Sequence, residues 1–281
     1  MTLQAEIEAL WQDYQHDVVD AATADTATLD AFLEALEAGD VRAASPTGGG
    51  HTAADRWEAN EWVKQGILLN FGLRQTERRT YGNVGYHDVL PLRETDDLGD
   101  RGTRNTPDGT TIRRGAYVGS DAILMSPCFL NIGAYVGDGT LVDSCDTVGS
   151  CAQIGSNVKL GANTLIGGVL EPVEDTPVII EDDVSIGAGC RITSGFVVGE
   201  GAVIGENTLL TPRIPVYDLV TEEIIAGYVP DGRRVMTRFV RSSVSDHDLF
   251  GDSEAYKPAV VATDPQERTF EGTEREEALR E

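Results

Sequence analysis

A repeat of six residues constrains this chain more than any other feature. Aliphatic side chains fall at Ile112, Val118, Leu124, Leu130, Val136, Val142, Val148, Ile154, Leu160 and Ile166 without a slip. After a break over residues 167–178 they resume at Ile180, Ile186, Ile192, Val198, Ile204 and Leu210. A helix cannot use this spacing, because six is not a multiple of its roughly 3.6 residues per turn. Nine of the sixteen aliphatics are also followed by Gly, which weakens a helix interior. Amphipathic hairpins would alternate every second residue and carry irregular turns. A prism of short parallel strands does fit. Each hexad is one strand plus one corner, three hexads close a coil, and the aliphatic points inward. Sixteen hexads then make just over five coils.

Two other positions of the hexad carry information. The residue after the aliphatic is usually Gly, and in two hexads it is Asn131 or Asp143. These types tolerate positive φ, so a left-handed corner is expected there. Four residues after the aliphatic the side chain is usually small, as at Ala116, Ala122, Cys128, Ala134, Thr140, Ala152 and Thr164. The break, GGVLEPVEDTPV, holds two prolines and three acidic residues. A coil interior cannot absorb it, so it is expected to loop outward. Long ordered loops on repeat scaffolds tend to be functional.

The chain divides into three parts on this reading. Residues 1–110 form an N-terminal α-helical domain and a connector. Thr2 can cap a helix with Leu3, Ile7, Leu10 and Trp11 on one face. A second helix ends at Gly39, and NEWVKQGILLNFGL is a third. Residues 43–54 read as a loop, and 76–110 as a surface connector. Residues 111–216 are the coil, with the outward loop 167–178. Residues 217–281 are a small C-terminal β cap, with EEIIAGYVP and KPAVVAT as strands, because an open coil end would expose its core. The last stretch, DPQERTFEGTEREEALRE, is expected to fray or form an exposed helix.

Charge narrows the partners. The 22 Lys+Arg against 47 Asp+Glu leave a net charge of −25, which argues against nucleic acid and an anionic membrane surface. Only Lys64, Lys159 and Lys257 are lysines. Many carboxylates with few lysines point to a salt-rich cytoplasm, where dense ions screen the repulsion. The start, MTLQAEIEALWQDYQ, lacks a basic signal-peptide region, and no apolar run approaches the roughly 18 residues of a bilayer span. A cytoplasmic protein is expected. Cys128, Cys145, Cys151 and Cys190 form no CxxC pair and read as free buried thiols.

The four histidines, His16, His51, His87 and His247, all lie outside the repeats. γ-Class carbonic anhydrases need three coil histidines for zinc, and O-acetyltransferases on such coils use a histidine to deprotonate a hydroxyl. Neither chemistry fits, and no metal is expected. Acyl transfer to an amine remains, which needs positioning and removal of a proton. Asp143 is either a corner residue or a functional carboxylate. Asp146 stands where most hexads carry a small side chain, and it faces a subunit junction or solvent. Arg104, Arg113, Arg114, Arg191 and Arg213 can anchor substrate carboxylates, although a surface Arg is more often an ion-pair partner.

SCDTVGSCAQIGSNVKL, GGVLEP and VIIEDDVSIGA, together with NEWVKQGILLNF, IRRGAYVGSDAILM and NIGAYVGDGTLVD, resemble the tetrahydrodipicolinate N-succinyltransferases of diaminopimelate and lysine biosynthesis. The resemblance spans roughly residues 1–230. It implies a mainly β chain whose coil is a left-handed parallel β-helix of hexapeptide repeats. It also implies a homotrimer with an active site in each groove between neighbouring β-helices. Succinyl-CoA is the implied co-substrate, with no permanently bound cofactor, and the acceptor is a dicarboxylate, 2-amino-6-oxopimelate. Asp143 matches the family's key Asp and Arg104 its substrate-binding Arg. Gly167, Gly168 and Ala188 are the implied CoA contacts. One departure stands out: members with TVGSCAQIG carry a Glu in the coil after IGA, where this chain has GAGCRITSG and the aligned residue is Arg191. Arg191 is then expected to pair with a carboxylate of the succinyl group or of the acceptor. The acetyl-CoA version of the reaction and a non-catalytic assembly subunit stay open as alternatives.

Overall fold

A computed structural model describes residues 1–264, apart from positions 51, 83, 108, 171–174 and 252. The expected helix or frayed tail beyond 264 lies outside the described residues, as does the middle of the outward loop.

All sixteen repeat aliphatics are buried in one continuous core. The strands are two residues long and stack in parallel as three walls. The first wall holds Thr111–Ile112, Phe129–Leu130, Thr147–Val148, Leu165–Ile166, Arg191–Ile192 and Leu209–Leu210. The second runs from Tyr117–Val118 through Tyr135–Val136, Gln153–Ile154, Ile179–Ile180 and Val197–Val198 to Tyr228–Val229. The third runs from Arg104–Asn105 through Ile123–Leu124, Leu141–Val142, Lys159–Leu160 and Ser185–Ile186 to Val203–Ile204. In the two-residue strands from Thr111–Ile112 onward the second side chain points in and the first points out, as the two-residue pleat demands, whereas both residues of Arg104–Asn105 are exposed. The coil therefore starts one strand before the periodic run, where Arg104 pairs with Ile123. It also continues past Leu210, through Tyr228–Val229 and into Arg234–Arg241.

The corners correct one expectation. Left-handed φ occurs three residues after the aliphatic, at Asp121, Asn157, Asn163 and Asn207 and at Gly115, Gly133, Gly139, Gly189 and Gly201. The residue directly after the aliphatic is not left-handed, and this includes Asp143. Glycine is frequent there because successive coils touch. A Cβ on Gly137 would lie 2.5 Å from the carbonyl carbon of Gly155 in the next coil.

A second core lies under the N-terminal helices α1 (Leu3–Gln15), α2 (Ala27–Ala38) and α3 (Glu61–Gly72). It buries Ile7, Leu29, Phe32, Leu33, Val63 and Ile67. Thr2 Oγ1 caps α1 by accepting from the Ala5 N–H at 3.3 Å, and Gly39 ends α2 at φ 80°. Residues 43–54, expected as a loop, instead contribute Ala44–Pro46, which pairs antiparallel with Trp57–Ala59. This ribbon lies on the outer face of the second wall. Ala44 and Ala53 are buried there with Ile179 and Val197, against Trp57 and Tyr228. Arg56 is held between Glu181 and Asp231, and Trp57 Nε1 donates to Glu181 at 2.8 Å. The Arg42 guanidinium sits 3.7 Å over the Tyr135 ring and donates to Gln153 at 2.9 Å. The connector carries a hairpin of Glu77–Tyr81 with Val84–Asp88 and a short helix, Asp96–Asp100.

The loop starts against the helical domain. Val169 is buried in its core and Leu170 packs against it. At the far end, Arg234–Arg241 and Tyr256–Thr263 form an eight-residue antiparallel hairpin, joined by Val216–Asp218 and Glu223–Ile225. Glu223–Ile225 and Tyr256–Thr263 overlap the expected segments EEIIAGYVP and KPAVVAT, whereas Val216–Asp218 and Arg234–Arg241 lie outside the segments expected as strands. Among the described residues, no helix is long and apolar enough to cross a membrane.

Candidate active site

Asp143 follows the third-wall strand Leu141–Val142 and precedes the first-wall strand Thr147–Val148, so it stands on the edge where these walls meet. Arg104 is two rungs below Leu141 in the third wall. Arg191 is two rungs above Thr147 in the first wall, and Ala188 lies in the corner just before it. With rungs about 4.8 Å apart, the edge from Arg104 to Arg191 extends on the order of 20 Å. One edge of the prism thus carries Arg104, Asp143, Ala188 and Arg191, four of the six residues that the resemblance brought forward. Gly167 and Gly168 do not join them. They follow Leu165–Ile166 and lie at the opposite edge of the first wall, where the loop leaves. A Cβ on Gly168 would meet Ser150 Oγ at 2.6 Å and the Ser150 nitrogen at 2.8 Å, so close packing alone requires glycine there.

The arginines separate into two groups. Arg113 pairs with Asp88 at 2.5 Å and Arg114 with Glu37 at 2.7 Å, so both tie the coil to the domain before it. Arg104 and Arg191 are exposed, and no carboxylate among the described residues pairs with either. Arg191 is steadied by its own corner, with Nη1 donating to the Gly189 carbonyl at 3.1 Å. Arg213 is exposed as well, beyond the last strand of the first wall.

Asp143 is half-buried. Its Oδ1 accepts from the Ser144 N–H at 2.7 Å, while Oδ2 has no partner among the described residues. Its main-chain N–H donates to Asp146 Oδ2 at 2.7 Å. Asp146 faces neither a junction nor solvent. It is 1% exposed and points into the coil, which corrects the sequence expectation. Its Oδ1 accepts from the Thr164 N–H of the coil above at 2.7 Å. Burial pushes the Asp146 carboxyl up to about 7, against the pull of the two amide bonds, and Asp143 adds to the rise. The signal was in the repeat: Ala116, Thr140, Ala152 and Thr164 share the same hexad position, and all are buried.

Three thiols are buried as expected. Burial pushes Cys128 up to about 11 and Cys151 up to about 12, and raises Cys190. Cys145 departs from the expectation, since it is exposed two residues from Asp143. Among the described residues, no group of three or more His, Cys, Asp or Glu stands close enough to hold a metal ion.

Comparison with known proteins bears on what this edge does. Residues 177–212 match the family described as bacterial transferase hexapeptide (six repeats). Residues 2–73, the three helices and the ribbon, match the tetrahydrodipicolinate N-succinyltransferase N-terminal family. The 2,3,4,5-tetrahydropyridine-2,6-dicarboxylate N-succinyltransferase of Polynucleobacter asymbioticus is 36% identical over 255 residues, covering 88% of this chain and 90% of that protein. This chain belongs to the tetrahydrodipicolinate N-succinyltransferase family. A protein of the same name from Methylobacterium sp. is 39% identical over 235 residues, 81% of each chain. The one from Dechloromonas aromatica is 33% identical over 251 residues, 88% of this chain and 90% of that protein. A tetrahydrodipicolinate N-succinyltransferase coil is a left-handed β-helix of hexapeptide repeats, which agrees with the three parallel walls. The helical match separates this family from hexapeptide proteins in general, because it covers residues that the repeat does not dictate.

Proposed function

We propose that this chain transfers a succinyl group from succinyl-CoA to the amine of ring-opened tetrahydrodipicolinate, 2-amino-6-oxopimelate. The products are N-succinyl-2-amino-6-oxopimelate and CoA, in lysine and diaminopimelate biosynthesis in the cytoplasm. The observation that carries this reading is the composition of one prism edge. An Asp whose Oδ2 has no partner among the described residues stands between two arginines that no described carboxylate pairs with. In a chain of net charge −25, that edge is a local exception to a field that otherwise repels dicarboxylates.

Arg104 anchors a carboxylate of the acceptor. Asp143 accepts a hydrogen bond from the acceptor ammonium, orients it and takes one proton. The amine nitrogen attacks the thioester carbonyl and the C–N bond forms. Main-chain N–H groups of the groove donate to the oxyanion. The C–S bond then breaks, CoA leaves as thiolate, and the remaining excess proton on nitrogen is released to it. Gly167, Gly168 and Ala188 line the path of the CoA arm. Because the first two sit across the first wall from Asp143, one copy cannot place them beside its own Asp143. A groove between copies of a homotrimer can, with one edge from each neighbour. Arg191, on the Asp143 edge, pairs with the terminal carboxylate of the succinyl group or with the acceptor.

The test is purified protein with tetrahydrodipicolinate and either succinyl-CoA or acetyl-CoA, read by free-thiol release. The expected result is release at least about tenfold faster with succinyl-CoA, the difference one anchored carboxylate supplies. Faster release with acetyl-CoA overturns the donor, and none with either overturns the enzyme. In the same assay, Arg191→Ala should raise KM about tenfold or more for one substrate only, in line with a lost charge-assisted bond. An unchanged KM for both substrates removes Arg191 from the site.

A further inference from the structure

The coil departs from its own hydrogen-bond pattern at one place, and that place carries Asp143. In other hexads the residue after the aliphatic donates its N–H to the aliphatic carbonyl of the coil above. Met125 donates to Val142 at 2.8 Å, Gly161 to Ile186 at 2.8 Å and Gly187 to Ile204 at 2.8 Å. Asp143 instead donates to the Asp146 carboxylate at 2.7 Å. A second contact lies beside it. In several hexads the residue at the small position donates back to its own corner, as Ala152 does to Gly149 at 3.2 Å. Thr164 donates down to Asp146 at 2.7 Å. One interior carboxyl therefore replaces two main-chain acceptors and bridges successive coils at the third–first edge. The neutral Thr140, at the same hexad position, bridges successive coils in the same way by accepting from the Val158 N–H at 3.0 Å, so holding the coils together does not require a carboxylate here. Its consequence is local: the peptide before Asp143 is aimed by Asp146, and with it the Cα–Cβ bond that directs the Asp143 carboxylate.

We propose that Asp146 is a positioning residue for the acyl transfer, a buried carboxyl that sets the main chain of Asp143 so that its free oxygen meets the acceptor amine. This rests on the reading of Asp143 as the proton acceptor. The groups facing Asp146 are few. Asp143 shares its corner, the Cys128 thiol lies in the coil beneath, and Thr164 above offers only an amide. Ionisation strengthens both N–H···O bonds, since hydrogen bonds to a charged acceptor are the stronger kind. The grip on Asp143 thus tightens as pH rises through neutrality.

The decisive variant is Asp146→Thr, because Thr164 in the coil above and Thr140 at the preceding corner occupy this hexad position, and the coil folds around both. The expected result is a kcat lower by about tenfold or more, as for a small misplacement of a reacting group. KM for succinyl-CoA should be unchanged, and the step in kcat near pH 7 expected of the wild type should be lost. A role in stability alone would lower the melting temperature and leave kcat and its pH profile in place, and that outcome overturns the proposal. Asp146→Ala, matching Ala152, replaces the Thr variant if the latter does not fold. A wild-type kcat with no step between about pH 6 and 8 overturns the proposal whichever variant folds. Asp143→Asn and the double variant separate the two readings. If Asp143→Asn is active, the reading of Asp143 fails. If it is inactive and Asp146→Thr is normal, only the positioning role fails. If the double variant matches Asp143→Asn, Asp146 acts through Asp143.

Discussion

Asp143→Asn is expected to lower kcat by at least about a hundredfold, the usual loss when a positioned acid–base group is removed. The substitution is nearly isosteric. The amide oxygen can still accept from the Ser144 N–H, now at 2.7 Å to Oδ1, and the main-chain bond to Asp146 does not involve the side chain. The corner should therefore keep its shape, and neither assembly nor CoA affinity should change. What disappears is the oxygen that has no partner among the described residues and is free to take a proton. Single-turnover thiol release, compared with CoA binding at equilibrium, isolates this loss. Near-normal turnover in the variant would sink the assignment.

Salt is expected to have the second large effect. The chain carries 47 acidic and 22 basic residues, so its carboxylates repel one another over most of the surface. Between about 0.1 M and 1 M salt the screening length falls from roughly 10 Å to 3 Å. Pairs such as Arg241 with Asp246, both exposed, weaken with salt, but surface pairs of this kind contribute little to stability. Relief of the general repulsion should dominate. The melting temperature should rise by roughly 10 °C or more over that range in KCl, the size that several kcal/mol gives in a chain of this length. The gain should shrink near the isoelectric point of about 4.4, where the net charge is small. A melting temperature that is flat or falls with KCl at pH 7 rules out salt adaptation.

The coil was legible because its interior admits one solution: an aliphatic side chain every sixth residue, wherever a short strand turns inward. The glycines were legible as a pattern but not as a cause. Gly serves both left-handed φ and close approach, and only coordinates distinguish Gly133, which is left-handed, from Gly137, which is pressed against the next coil. Asp143 could be named from its motif, and its edge followed from the repeat arithmetic. Asp146 could not be placed, because a carboxylate inside a coil contradicts the rule that charges stay outside unless two donors satisfy it. Both donors are main-chain groups, one of them in a different coil, and sequence spacing is silent about such partners. The ribbon of residues 44–59 was missed for a similar reason. Its strands are three residues long, and they are held by the wall beneath through Ala44, Ala53 and Trp57 rather than by any pattern of their own.

That ribbon also limits how copies of this chain can associate. A three-sided column has three flat sides to offer, and here one is sealed by the chain's own first sixty residues, bolted on by Arg42, Arg56 and Trp57. Among the described residues, the ribbon covers neither of the other two sides, which are unlike. Were copies to join through two different sides, the contact would be heterologous, and contacts of that kind either close into a ring or continue as a filament.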